Sequence, residues 1–196
     1  MIGIDYSMSS AGIVIGTSDN PNELHIGCYR QRVRDEALKD NITILEPPPS
    51  GISDEERYYR LAETTVNYIK SKTDERLVYI EDYSFQSKGN TFNIGEATGA
   101  LKQRLWLEGF EIQKLSPGSI KKFASGKGNA NKTGMLDAFI DKTGYDWNDS
   151  YFGFKHPIEK GMKNIPAPIT DIIDAYWILQ YALAEFHGEA VPSESR

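Results

Sequence analysis

Short apolar runs separated by polar turns open the chain. Ile2–Ile4 and Ala11–Ile15 read as two strands joined by the turn Ser7-Met8-Ser9-Ser10, and Leu24–Val33 reads as a third, alternating in part. Three extended segments in succession predict an antiparallel meander. Asn41–Gly51, with Pro47-Pro48-Pro49, reads as a stiff exposed connection. Ser53-Asp54-Glu55-Glu56 is a capping box that starts a helix running to about Lys72. Leu77–Glu81 is the fourth strand. Thr91–Glu108 is a helix stopped by Gly109, and Glu111–Leu115 is the fifth strand. Pro117 begins a short helix, Ser125–Asn131 is a glycine-containing loop, and Lys132–Thr143 is a further helix. Thr170 is a candidate cap for a last helix ending near Phe186. Strands that alternate with helices late in the chain imply parallel neighbours and right-handed crossovers. The expectation is an α/β fold with a mixed five-stranded sheet, three strands antiparallel and then parallel ones, and helices on both faces. Tyr145–Pro168 is aromatic and punctuated by Pro and Gly, and reads as an insertion in a single domain spanning 1–196.

At 196 residues the chain is long enough for one domain with a real core. No apolar run is long enough to span a bilayer, and the N-terminal region lacks the basic stretch of a secretory signal. Cys28 is the single cysteine, which excludes an intrachain disulfide and a Cys-rich zinc site. These features suit a reducing cytoplasm. The net charge of −6 taken alone argues against a nucleic-acid partner. Its distribution changes that picture: Gln113–Leu136 carries Lys114, Lys121, Lys122, Lys127 and Lys132 and no acid. The strip is either a phosphate-binding face or a solvated loop.

Four acids stand in apolar company. Asp5 closes the first strand and Glu81 the fourth, while Asp171 and Asp174 interrupt an otherwise apolar helix. Carboxylates are seldom buried unless paired or bound to a metal. Residues i and i+3 share a helix face, with Cβ atoms about 5–6 Å apart. If that helix packs by the ends of the first and fourth strands, the four acids converge. A set of that kind suits hard divalent cations, which prefer oxygen ligands. Two such ions about 4 Å apart activate water and stabilise a leaving oxygen in phosphoryl chemistry. Each acid also has a structural alternative. Asp5 could begin a turn with Ser7 and Ser9, Glu81 could be a strand-end charge, and Asp171 could complement the helix dipole. Asp174 fits a structural role least well.

Gly3-Ile4-Asp5, followed by Ser10-Ala11-Gly12 and a second apolar strand, resembles the opening of the ribonuclease H-like nucleases. Within them the chain is most similar to RuvC-type Holliday junction resolvases, especially the phage-borne kind. The most specific match is Pro117-Gly118-Ser119-Ile120-Lys121-Lys122, then Gly126-Lys127-Gly128-Asn129-Ala130-Asn131-Lys132. Glu81 falls at the fourth-strand acid, Glu96-Ala97-Thr98-Gly99 at the helix that follows, and Asp171-x-x-Asp174-Ala175 at the closing motif. The resemblance covers essentially the whole chain in the right order. It departs from bacterial members in Tyr6-Ser7 after the first acid and in the length of Tyr145–Pro168, which carries Lys155, His156, Lys160 and Lys163.

The resemblance implies a homodimer that makes symmetric nicks in a four-way DNA junction. It implies two Mg²⁺ ions, with Mn²⁺ as a substitute. Asp5, Glu81, Asp171 and Asp174 would be metal ligands and catalytic. Lys132, also catalytic, and Lys121 would approach DNA near the scissile phosphate, with Lys122, Lys127, Gly126 and Gly128 also at the DNA. Tyr83 and Phe85 bracket the place of an aromatic wedge; either could stack on bases or pack in the core. His156 reads as a surface histidine. Three rival readings stay open at this level. One is a ribonuclease H-like nuclease acting on flaps, other branched DNA or RNA–DNA hybrids, or belonging to a packaging motor, although no P-loop is present. Another is a junction binder without catalysis. The third is an actin-like phosphotransferase, for which the chain is short.

Overall fold

A computed structural model describes residues 1–29, 39–82, 91–147 and 157–192. Its strands are β1 (Ile2–Tyr6), β2 (Ala11–Ile15), β3 (His25–Tyr29), β4 (Ile42–Leu45), β5 (Leu77–Glu81) and β6 (Glu111–Leu115). Its α-helices are α1 (Asp54–Lys72), α2 (Thr91–Leu107), α3 (Pro117–Ser125), α4 (Lys132–Thr143) and α5 (Ala167–Phe186). All six strands form one sheet in the order β4-β3-β2-β1-β5-β6. The pairs β1–β2 and β2–β3 are antiparallel, while β5 lies parallel to β1 and β6 parallel to β5.

The expected meander and parallel crossovers are therefore present, with one correction. The sheet has six strands, not five. Ile42-Thr43-Ile44-Leu45, expected within an exposed connection, pairs parallel with β3 as an edge strand. Pro47-Pro48-Pro49 give the whole stretch the look of a linker, yet those residues begin only after the strand has ended. An edge strand ahead of prolines is a common arrangement, since proline cannot continue the ladder.

The sheet is covered on both faces. Helices α1 and α2 pack over Ile2, Ile4, Ile13, Ile15, Val78 and Ile80. Helices α3, α4 and α5 cover Val14, Ile26, Cys28 and Tyr79 on the other face. Helix α5 is buried along nearly its whole length and runs across β1 and β2. It begins at Ala167, earlier than a Thr170 cap implies. Pro166 and Pro168 explain this, because proline is tolerated in a first helical turn where no N–H partner is needed.

The described ends of Tyr145–Pro168 differ from the expected insertion outside the core. Tyr145, Trp147 and Ile158 are buried. Trp147 stacks on Phe139 of α4 with ring centroids 5.4 Å apart. Thr133 Oγ1 donates to the Met162 carbonyl at 3.0 Å. Aromatic side chains bury large areas and dominate such packing. Lys155 and His156 lie outside the described residues, as do Tyr83 and Phe85. No helix among the described residues is long and apolar enough to cross a membrane.

Candidate active site

Strand register brings the first two acids level. Ile4 pairs with Ile80 across the parallel β1–β5 ladder, so Asp5 and Glu81 are the next residues on adjacent strands. Side chains alternate along a strand. Asp5 therefore shares a face with Gly3, and Glu81 shares one with Tyr79. That face is the one under α5.

Two glycines bring α5 close enough to matter. A Cβ built on Gly3 would lie 2.5 Å from the Ala175 carbonyl oxygen and 2.7 Å from the Leu179 nitrogen. One built on Gly12 would lie 2.0 Å from the Asp171 carbonyl oxygen. Neither approach is possible for a residue with a side chain, and the obstruction is backbone that cannot rotate away. Gly12 pairs with Asp5 across the β1–β2 hairpin. The contact that seats the first turns of α5 is therefore next to the first acid. In the sequence both glycines stand only as parts of motifs, and this role is not visible there. Glycine inside a strand signals close backbone approach.

The four acids share one electrostatic field. Asp5 is enclosed by protein, although part of its surface remains open. Its pKa is pushed well above the ordinary carboxylate range, first by burial and then by Asp174, Asp171 and Glu81. Burial, then the Glu81 charge, raises Asp174 to about 7. Burial also raises Glu81, against the pull of Lys121. Burial raises Asp171, opposed by hydrogen bonds from Ser10 and Thr170 and by Lys132. Desolvation and like charge both disfavour the ionised form. Lys132 acts on Asp5, Asp171 and Asp174, while Lys121 acts on Glu81 and Asp174. With all four acids ionised, two lysines leave two negative charges uncompensated.

The lysines come from an adjoining pair of helices. Ser116 caps α3, accepting from the Ser119 N–H, and Pro117 occupies its first turn. Gly126 ends α3 in the left-handed region at φ 76°, a conformation suited to glycine. Asn131 caps α4, accepting from the Gly134 N–H, so Lys132 is the first helical residue. A cation there opposes the helix dipole, and the acids across the cleft offset the cost. A Cβ on Gly128 would lie 3.3 Å from the Gly118 carbonyl oxygen. The loop thus packs tightly on the start of α3. Both loop glycines have this local explanation, independent of any phosphate.

Glu81, Asp174, Lys121, Lys132, Asn131 and Met135 are among the residues lining a cleft of about 320 Å³; Asp5 and Asp171 do not line it and are tied to its charged groups through their electrostatic influence. A neighbouring cleft of about 450 Å³ shares Ala130 and Asn131 and is bordered by Lys127. Lys122 is exposed on α3 and lines neither of these two clefts. A further cleft, of about 590 Å³, lies near the other end of α5, between Asp19, Lys142 and His187. It holds none of the four acids and has mixed charge.

Among the described residues no group of three or more His, Cys, Asp or Glu stands ready to hold a metal ion. The acids share a field without closing into a cage. The fit to a cation is chemical: every donor is a carboxylate oxygen, the set is partly buried, and its charge exceeds that of the lysines. This suits a hard divalent ion that retains several waters.

No protein-family model matches the chain, and no curated protein matches it. Solved structures do. RuvC of Thermus thermophilus matches at 18% identity with a TM-score of 0.54, covering 98% of each chain. T. thermophilus RuvC in complex with Holliday junction substrate matches at 17% with a TM-score of 0.56, again over 98% of each. The yeast mitochondrial Holliday junction resolvase Ydc2 matches at 14% with a TM-score of 0.51, over 95% of this chain and 81% of that one. At these identities the likeness establishes the fold, which is the RuvC-type, ribonuclease H-like one.

Proposed function

We propose that this protein is a divalent-metal-dependent endonuclease that resolves four-way DNA junctions, leaving 5′-phosphate and 3′-hydroxyl ends. One observation carries the reading. Asp5, Glu81, Asp171 and Asp174 come from two strands and a helix distant in sequence, yet each is electrostatically coupled to others of the set or to Lys121 and Lys132. A purely structural core would not retain that arrangement, since it opposes folding. The fold shared with junction resolvases supports branched DNA as the substrate.

The four acids would hold Mg²⁺, as two ions, or Mn²⁺ in its place. Bound there, the metal would supply an activated water and neutralise charge at the phosphate. The protein's own groups do the rest. The ends of β1 and β5 fix Asp5 and Glu81, and α5 fixes Asp171 and Asp174. Lys132 and Lys121, as compact positive charges at the cleft, would hold a phosphodiester and stabilise charge that develops on it. Lys127, Lys122 and the loop Gly126–Gly128 would extend the basic surface along the DNA.

Paired nicks across a symmetric junction require two sites, so the reading includes a homodimer. Phe92 near one end of α2 and Trp106 and Leu107 near the other are exposed apolar side chains that such a partner would cover.

The test is nicking of a synthetic four-way junction with and without Mg²⁺, beside linear duplex, flap and RNA–DNA hybrid. Asp5→Asn and Asp174→Asn should bind the junction and fail to cut it. Metal-dependent cutting that survives both substitutions overturns the site. Equal cutting of linear duplex overturns the substrate.

A further inference from the structure

Asp171 is gripped from two sides. Ser10 Oγ donates to its Oδ2 at 2.8 Å, and Thr170 Oγ1 lies 3.2 Å from its Oδ1, sharing its one hydrogen with the nearer Ala167 carbonyl at 2.9 Å. Asp5 and Asp174 have no side-chain hydrogen bond at their carboxylates among the described residues.

Ser10 is itself well anchored. It closes the β1–β2 turn, where the Ser7 N–H donates to its carbonyl at 2.9 Å and its own N–H donates to Ser7 Oγ at 3.1 Å. Two residues on, Gly12 lies against the Asp171 carbonyl. One stretch of hairpin therefore locates Asp171 through both its backbone and its carboxylate. That hairpin also carries Asp5, which pairs with Gly12. Its geometry sets the offset between two of the acids.

We propose that Ser10 is a positioning residue, which through its hydroxyl holds the Asp171 carboxylate in the orientation needed to bind a divalent ion. The inference rests on the metal-dependent reading above. Each oxygen of Asp171 uses one acceptor site on a hydroxyl, leaving its other acceptor sites for the ion. A carboxylate already fixed loses less freedom on binding than one that must be gathered in. Hydrogen-bonding partners of this kind typically change metal affinity by about 10–100-fold.

The experiment is calorimetric titration of chelator-treated full-length protein with Mn²⁺, with a melting curve for each variant. Ser10→Ala should bind Mn²⁺ about tenfold more weakly. Its nicking should need about tenfold more Mg²⁺ and return to within about threefold of wild type once metal saturates, which marks lost binding and not lost chemistry. Ser10→Thr keeps the hydroxyl and should restore affinity. Ser10→Cys, close in size but a poor donor, should resemble Ser10→Ala, and it carries the test if the alanine variant melts early. Unchanged Mn²⁺ affinity in Ser10→Ala or in Ser10→Cys overturns this proposal alone. So does a threonine variant as weak as alanine. Failure of the wild type to bind Mn²⁺ overturns it together with the metal-dependent reading.

Discussion

The two faces of the central strands carry opposite kinds of residue. On the face covered by α1 and α2, β1 presents Ile2 and Ile4, β2 presents Ala11, Ile13 and Ile15, and β5 presents Val78 and Ile80. On the face under α5, the intervening positions are Gly3 and Asp5, Gly12 and Val14, Tyr79 and Glu81. One face is a continuous branched apolar surface of the sort that stabilises any sheet. The other exchanges much of that surface for glycine, which admits a helix backbone, and for carboxylates, which resist burial. The alternation assigns stability to one side and chemistry to the other, within the same five-residue strands. The face that departs from good packing is where function is expected.

The sharpest way to test the contrast is to neutralise an acid. The pKa of Asp174 is raised from 3.8 to about 7 by burial and then by Glu81. The folded protein therefore keeps a proton that the unfolded chain releases above about pH 4. That contribution to stability is complete below the unfolded value and is lost as pH rises through about 7. Asp174→Asn removes the titration. In chelator, its stability relative to wild type should grow between pH 5 and pH 8 by up to about 3 kcal/mol, the part of the shift that falls in that window. Denaturant unfolding at the two pH values measures it. Saturating Mg²⁺ should narrow the gap, because only wild type retains the full ligand set. A relative stability that stays flat with pH would remove the carboxylate field from the account.

Gly12→Ala should have the next largest effect. Its Cβ would meet the Asp171 carbonyl oxygen at 2.0 Å, so α5 or β2 must move. Overpacking of this kind costs about 1–3 kcal/mol. Here the displacement falls on Asp171 itself, so cleavage should drop further than the change in melting temperature explains. Normal nicking by a folded Gly12→Ala protein would show that the close approach does not set the site.

Much of this division was legible in the chain. Most strand and helix bounds follow from periodicity, capping residues and glycine stops, β4 and the start of α5 being the exceptions. The four acids stood out because each interrupts an apolar run. The missing parts have physical reasons. β4 was hidden because a four-residue edge strand directly before three prolines resembles an extended linker. Trp147 and Tyr145 fall in a stretch that resembles an insertion, because nothing local shows that Phe139, one turn before the end of α4, offers a ring to pack on. The Ser10–Asp171 bond joins residues 161 apart in the chain. A hydroxyl in a serine-rich turn has a sufficient local explanation, so only the packing of α5 on the hairpin reveals its second partner. Gly3 and Gly12 were visible as motif letters, but a motif does not say which backbone the missing Cβ makes room for.

The smallest predicted effect is also the closest control. Ile4 directly precedes Asp5, is fully buried, and faces α1 and α2. Ile4→Val removes one methylene from that layer, and such changes typically cost about 0.5–1.5 kcal/mol. The backbone ladder to Ile13 and Ile80 needs no side chain, so β1 should keep its register and Asp5 its level beside Glu81. Mn²⁺ affinity and nicking below the melting temperature should then match wild type, while denaturant unfolding records the small loss. Asp5→Asn, one residue along, should do the reverse: abolish nicking without loss of metal-free stability, since a repelled buried charge has been removed. If Ile4→Val instead weakens metal binding as much as Ser10→Ala, the two faces are mechanically coupled. The site would then depend on the packing of the entire sheet, not on the glycines and the hairpin alone.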